Sequence, residues 1–160
     1  MNPFRYGEVV VEDDFCSRPD LLRVVGEHIR ASHKIVLMGE RRTGKTSLIF
    51  EAARQKRGLR LVYAQLWAVK SITDVADRLL RGLSTAQSKA GWLERVGGLL
   101  ARLRPTLEYD PLSGAPSLTV APGVVVPPSG LHAVMDAIEK LSESSKLVVV
   151  LDEVQALRHL

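Results

Sequence analysis

KIVLMGERRTGKTS, residues 34–47, is the stretch whose reading decides the fold. Its first five residues form an apolar run without polar alternation, the pattern of a strand buried on both faces. Gly39, four further residues, Gly44, Lys45 and Thr46 then complete the spacing G-x-x-x-x-G-K-[ST]. Leu48, Ile49, Ala52 and Ala53 follow at helical spacing, which predicts a helix ending near Gly58. Four fixed positions of this kind arise by chance in on the order of one chain in a few hundred. A preceding strand and a following helix make the signal more specific. A polyphosphate needs many short hydrogen-bond donors and positive charge, and glycine lets the backbone approach it while the helix amino terminus adds positive potential. The stretch therefore reads as a phosphate-binding loop in which Gly39, Glu40, Arg41, Arg42, Thr43, Gly44, Lys45, Thr46 and Ser47 are the candidate nucleotide contacts. Lys45 is expected to reach the β- and γ-phosphates, and the Thr46 hydroxyl to ligate magnesium.

Outward from the loop, helix and strand signals alternate. Ser17 and Asp20 predict a helix over residues 18–31, with Leu21, Leu22, Val25 and Ile29 on its apolar face. LRLVYAQL, residues 59–66, predicts a strand, and Ser71 with Asp74 caps a helix that carries Ile72, Val75, Ala76, Leu79, Leu80 and Leu83. Trp92, Leu93, Val96, Leu99, Leu100 and Leu103 mark a fourth helix, weakened by Gly97-Gly98. Residues 105–130 hold six of the eight prolines, and TLEYD and PSLTV flank the turn-like PLSGA, so this window reads as an inserted β-hairpin, with a mobile loop as the alternative. Leu131, Val134, Met135, Ile138 and Leu141 predict a fifth helix. Both tryptophans, Trp67 and Trp92, read as packing residues.

KLVVVLDE, residues 146–153, is a second run of the doubly buried kind and ends in two acids. An acid there lies at the carboxyl end of a strand, the edge where open α/β sheets bind ligands. Asp152 is the expected magnesium ligand. Glu153, one residue on, is placed to orient and polarise an attacking water, a role that binding alone does not require. Lys45 and Glu153 are thus the candidate catalytic residues. The four histidines have no metal-ligand spacing.

With 160 residues the chain has room for one domain with a real core, and 46% hydrophobic with 25% charged residues excludes disorder as the default. No run approaches the ~20 apolar residues of a membrane span, and MNPFRYGEVVVEDDF places acids where a signal peptide would be apolar. The lone Cys16 cannot form an internal disulfide, which fits a reducing cytoplasm. Residues 1–104 carry 19 Lys and Arg against 11 Asp and Glu, a balance of +8, while residues 105–160 carry 3 against 7, a balance of −4. The basic half suits either nucleic acid or a polyanionic nucleotide.

The order of features resembles the archaeal-type ATPases of the AAA-related P-loop superfamily, often grouped with the signal-transducing STAND ATPases. The resemblance rests on Phe4, Tyr6 and Gly7, on Phe15-Cys16-Ser17-Arg18 before a helix, on GERRTGKTS, and on LDEVQAL at residues 151–157. It implies an α/β fold, a three-layer P-loop NTPase with a parallel sheet, here incomplete, and a small β-hairpin insertion. Residues 1–33 would be an amino-terminal linker and helix, residues 105–130 the insertion, and 1–160 the first half of an ATPase domain. Relatives of this kind continue into a strand that lies between the loop strand and the acidic strand, so a natural chain extending past Leu160 is expected. ATP with Mg2+ is implied by the resemblance, and the base-reading motif N-K-x-D of G-proteins is absent from the sequence. The expected function is Mg-dependent ATP hydrolysis driving a conformational switch. The alternatives are a nucleotide-gated DNA-binding module, similar to origin-recognition or transposition-helper ATPases, or an ATP-binding fragment without turnover. Candidate partners are ATP, a second copy of the chain, DNA or protein, with no membrane.

Overall fold

A computed structural model describes residues 18–40, 42–86, 92–109 and 116–160. The chain divides into two compact units, Met1–Leu59 and Arg60–Leu160, and each is described by itself.

In the first unit, α1 (Pro19–Arg30) packs on α2 (Lys45–Arg54). Pro19 begins α1, where its missing N–H and fixed φ suit a first helical turn. The cap position is Arg18, which makes no side-chain capping bond; the predicted cap, Ser17, lies outside the described residues. Val25 and Ile29 of α1 and Leu48, Ala52 and Ala53 of α2 are buried, as their spacing predicts, whereas Leu21 is exposed. The expected strand at residues 34–38 does not form: residues 33–40 have no regular structure, and Val36 and Met38 are 79% and 85% exposed. A strand exists through hydrogen bonds to a neighbour, and no strand among the described residues pairs with this segment.

The second unit is mixed α/β. β1 (Leu59–Gln65), whose first residue closes the first unit, pairs in parallel with β4 (Lys146–Asp152), and β2 (Pro105–Tyr109) pairs antiparallel with β3 (Pro116–Val120). The hairpin reading of the proline-rich window is thus met, in a register that sets Leu107 opposite Leu118 and Thr106 opposite Thr119. Between the strands run α3 (Ile72–Ala86), α4 (Trp92–Leu100) and α5 (Pro128–Ser142), and a short 3-10 turn, Val154–His159, follows β4. Val62, Ala64 and Leu66 from β1 and its end, Leu79, Leu80 and Leu83 from α3, Val96 and Leu100 from α4, and Val134, Ala137 and Leu141 from α5 share one core.

Two devices hold this unit's elements in place. Ser71 Oγ accepts the Asp74 amide at 3.1 Å and Asp74 Oδ2 accepts the Lys70 amide at 2.8 Å, so the predicted cap of α3 is formed. That amide, first among its partners, keeps the Asp74 carboxyl below the usual carboxylate range. Along the same helix, Thr73 Oγ1 accepts the Val126 amide at 2.8 Å, Asp77 Oδ1 the Val120 amide at 2.8 Å, and Ser84 Oγ the Leu118 amide at 3.1 Å. One polar stripe of α3 therefore satisfies two backbone donors of the edge strand β3, those of Leu118 and Val120, and one of the irregular segment after it, that of Val126.

Two further expectations fail. β4 is not buried on both faces: Val150 is buried, but Val149 and Leu151 are exposed, because a two-stranded sheet gives few neighbours for either face. Trp67 is 56% exposed in the turn after β1, while Trp92 packs against the core as expected.

Candidate functional site

The phosphate-loop candidates lie in the first unit. α2 opens at Lys45 immediately after Gly44, whose φ of 76° is left-handed and favours glycine there. A Cβ on Gly44 would meet nothing within 4 Å, so the requirement is one of backbone conformation, not of space. Arg42, two residues earlier, takes the same left-handed region at φ 62°. Lys45 Nζ donates to the carbonyls of Gly39 at 3.0 Å and Glu40 at 2.5 Å, and Thr43 Oγ1 donates to the Glu40 carbonyl at 2.9 Å. The loop is therefore closed on itself, with the ammonium lying across the segment from Gly39 to Lys45. Thr46 and Ser47 stand in the first turn of α2, partly buried. Arg41 lies outside the described residues.

The acidic candidates lie in the second unit. Asp152 ends β4, and its main chain is held to the neighbouring strand by the Leu66 amide, which donates to the Asp152 carbonyl at 2.9 Å. Asp152 Oδ1 accepts the Glu153 amide at 2.9 Å, and Oδ2 accepts the hydroxyl of Tyr63 at 2.9 Å. Burial first, and the Asp152 carboxylate next, push the Tyr63 phenol well above its usual range, so it stays a hydrogen-bond donor. Glu153 is left-handed, φ 57° and ψ 39°, a conformation a non-glycine residue keeps only where its surroundings impose it. Its Oε2 accepts the side-chain amide of Gln155. Asp152 and Glu153 are adjacent in sequence, yet their carboxylates have different hydrogen-bond partners, Tyr63 of β1 for one and Gln155 of the following turn for the other, while the charge of both acts on the Tyr63 phenol.

Reading the sequence missed Tyr63, Gln155 and Gly82. Gln155 lies within LDEVQAL, where the sequence assigns it no role; in the structure its side-chain amide donates to Glu153. Gly82 of α3 lies directly on β1: a Cβ there would come within 2.2 Å of the Tyr63 carbonyl oxygen. Nothing local marks either Tyr63 or Gly82, because both act across elements. The histidines, unassigned by spacing, include one close pair: His28 and His33 lie Nδ1 to Nδ1 at 3.0 Å, both exposed.

A family model described as an AAA domain matches residues 29–160, which takes in the loop, the hairpin and the acidic strand end. The chain belongs to the AAA domain family. No curated protein and no solved structure matches it. Membership places this AAA domain among nucleotide-binding P-loop ATPases. No helix among the described residues is long and apolar enough to cross a membrane.

The AAA family implies a nucleotide and typically Mg2+ with it. That ion takes hard oxygen ligands and is usually held by one or two carboxylates together with substrate phosphates and water. Among the described residues no group of three or more His, Cys, Asp and Glu is placed to cage a metal alone. Each unit by itself carries an oxygen of the hard type that ion takes: the Thr46 hydroxyl in the loop turn of the first, and the Asp152 carboxylate at a strand end of the second.

Proposed function

We propose that this AAA domain binds ATP with Mg2+ and hydrolyses it. What supports the reading is a closed phosphate loop in the first unit, with Lys45 bridging its carbonyls, and, in the second, a kinked acid pair whose carboxylates have different partners. Residues 39–47 receive the phosphates. Lys45 exchanges its loop carbonyls for β- and γ-phosphate oxygens, and Thr46 and Asp152 hold Mg2+, which when bound offsets charge on those phosphates. Glu153, held by Gln155, accepts a hydrogen bond from the attacking water and takes its proton as the bond to the γ-phosphorus forms and the bond from that phosphorus to the β,γ-bridging oxygen breaks, so that ADP leaves with the bonding electrons. Nucleotide state then alters how the domain meets its partner, the conformational switch of the expected function.

The second reading, a DNA-binding module, draws less support. Several cations of the basic half are already matched: Arg23 with Glu27, Arg54 with the buried Glu51, and Arg81 with Asp77 and Glu108. Binding of a fluorescent ATP analogue tests the leading reading. Lys45→Ala is expected to weaken binding at least about 100-fold, the loss of a charge-assisted contact to phosphate. Unchanged affinity in that variant would remove the loop from the account.

A further inference from the structure

Asp152 is anchored more firmly than a strand-end carboxylate needs to be. Leu66 holds its carbonyl, the Glu153 amide holds Oδ1, and the hydroxyl of Tyr63, 89 positions earlier in the chain, holds Oδ2. Tyr63 is in turn fixed from behind, since α3 lies against its backbone at Gly82 too closely for any side chain. A chain of contacts thus runs from the helix through β1 to one carboxylate oxygen.

We propose that Tyr63 is a positioning residue for the Mg2+–nucleotide site, its hydroxyl holding the Asp152 carboxylate in the orientation that receives the ion or an ion-bound water. The proposal rests on the reading of Asp152 given above. An aspartate has two side-chain torsions to lose, and a ligand whose second oxygen is already hydrogen-bonded loses that freedom on folding, before the ion arrives. Partners of this type typically change metal affinity by about 10- to 100-fold when removed. A phenol that only satisfied its own burial would have no effect on metal dependence.

The experiment uses Tyr63→Phe in the full chain, which removes one oxygen and keeps the ring. Affinity for a fluorescent ATP analogue is measured in EDTA and across a Mg2+ titration, with thermal unfolding alongside. The expected result is unchanged affinity in EDTA and a rise of about 10-fold or more in the Mg2+ concentration that gives half-maximal tightening. A Mg2+ dependence equal to that of the unmodified chain overturns the proposal, as does an equal loss of affinity in EDTA, which would make the hydroxyl structural. Asp152→Ala run in parallel separates the two levels. If that variant loses the Mg2+ dependence and Tyr63→Phe keeps it, only the role of Tyr63 falls. If Asp152→Ala keeps it as well, the metal role of Asp152 falls, and the proposal with it.

Discussion

Residues 34–38 and residues 146–151 are both apolar runs opened by a lysine, KIVLM and KLVVVL, yet the second forms β4 with Asp152, hydrogen-bonded to β1, and the first has no regular structure. The difference lies in the backbone. Apolar side chains favour burial, but they do not supply the N–H and C=O partners that make an extended segment a strand. β4 finds those partners on β1 and buries Val150 beneath them; Val36 is 79% exposed and pairs with no strand among the described residues.

The contrast can be broken most decisively with one substitution made twice. Val150→Asp should place an unpaired charge in the core and lower stability by at least about 3 kcal/mol, read by chemical denaturation. Val36→Asp should change it by no more than about 0.5 kcal/mol. Equal losses would mean that residues 34–38 are buried in a paired strand after all. A second pair of variants sharpens the same lesson for glycine. Gly82→Ala drives a methyl into the backbone of Tyr63 and should destabilise by about 1 to 3 kcal/mol, despite the better helix propensity of alanine. Gly97→Ala, in the middle of α4 with nothing within 4 Å, should stabilise by about 0.5 to 1 kcal/mol.

A further effect concerns the cap of α3. Ser71→Ala should cost about 1 kcal/mol. Asp74, whose carboxyl is held low by the Lys70 amide, contributes stability that is complete above its unfolded value and is lost as pH falls through its lower folded value. The difference in melting temperature between Asp74→Ala and the parent should therefore be full at neutral pH and shrink below about pH 4.

What could be read in the sequence was whatever is coded locally. The cap of α3 shows as Ser71 with Asp74, the hairpin as two short strand patterns around a turn, and the loop as a fixed spacing between strand and helix signals. Asp152 and Glu153 could be placed because a strand pattern ends at them. The rest depends on approach between distant segments. Tyr63 looks like any residue of a half-buried strand until β1 lies beside β4, and Gly82 looks like a defect in a helix until α3 lies on β1. The run at residues 34–38 was misread for the converse reason: its side chains carry the pattern, and the partner backbone does not appear in the pattern. Trp67 was read as packing on residue type alone, and its place in a turn leaves it exposed.

The most direct measurement of the central claim is single-turnover ATP hydrolysis by the parent chain and by Glu153→Gln at saturating nucleotide and Mg2+, with affinity measured on the same samples. The account predicts that both bind ATP within about twofold and that the Gln chain hydrolyses it about 100- to 10,000-fold more slowly, the contribution of a positioned base. Equal hydrolysis rates in the two chains would contradict it.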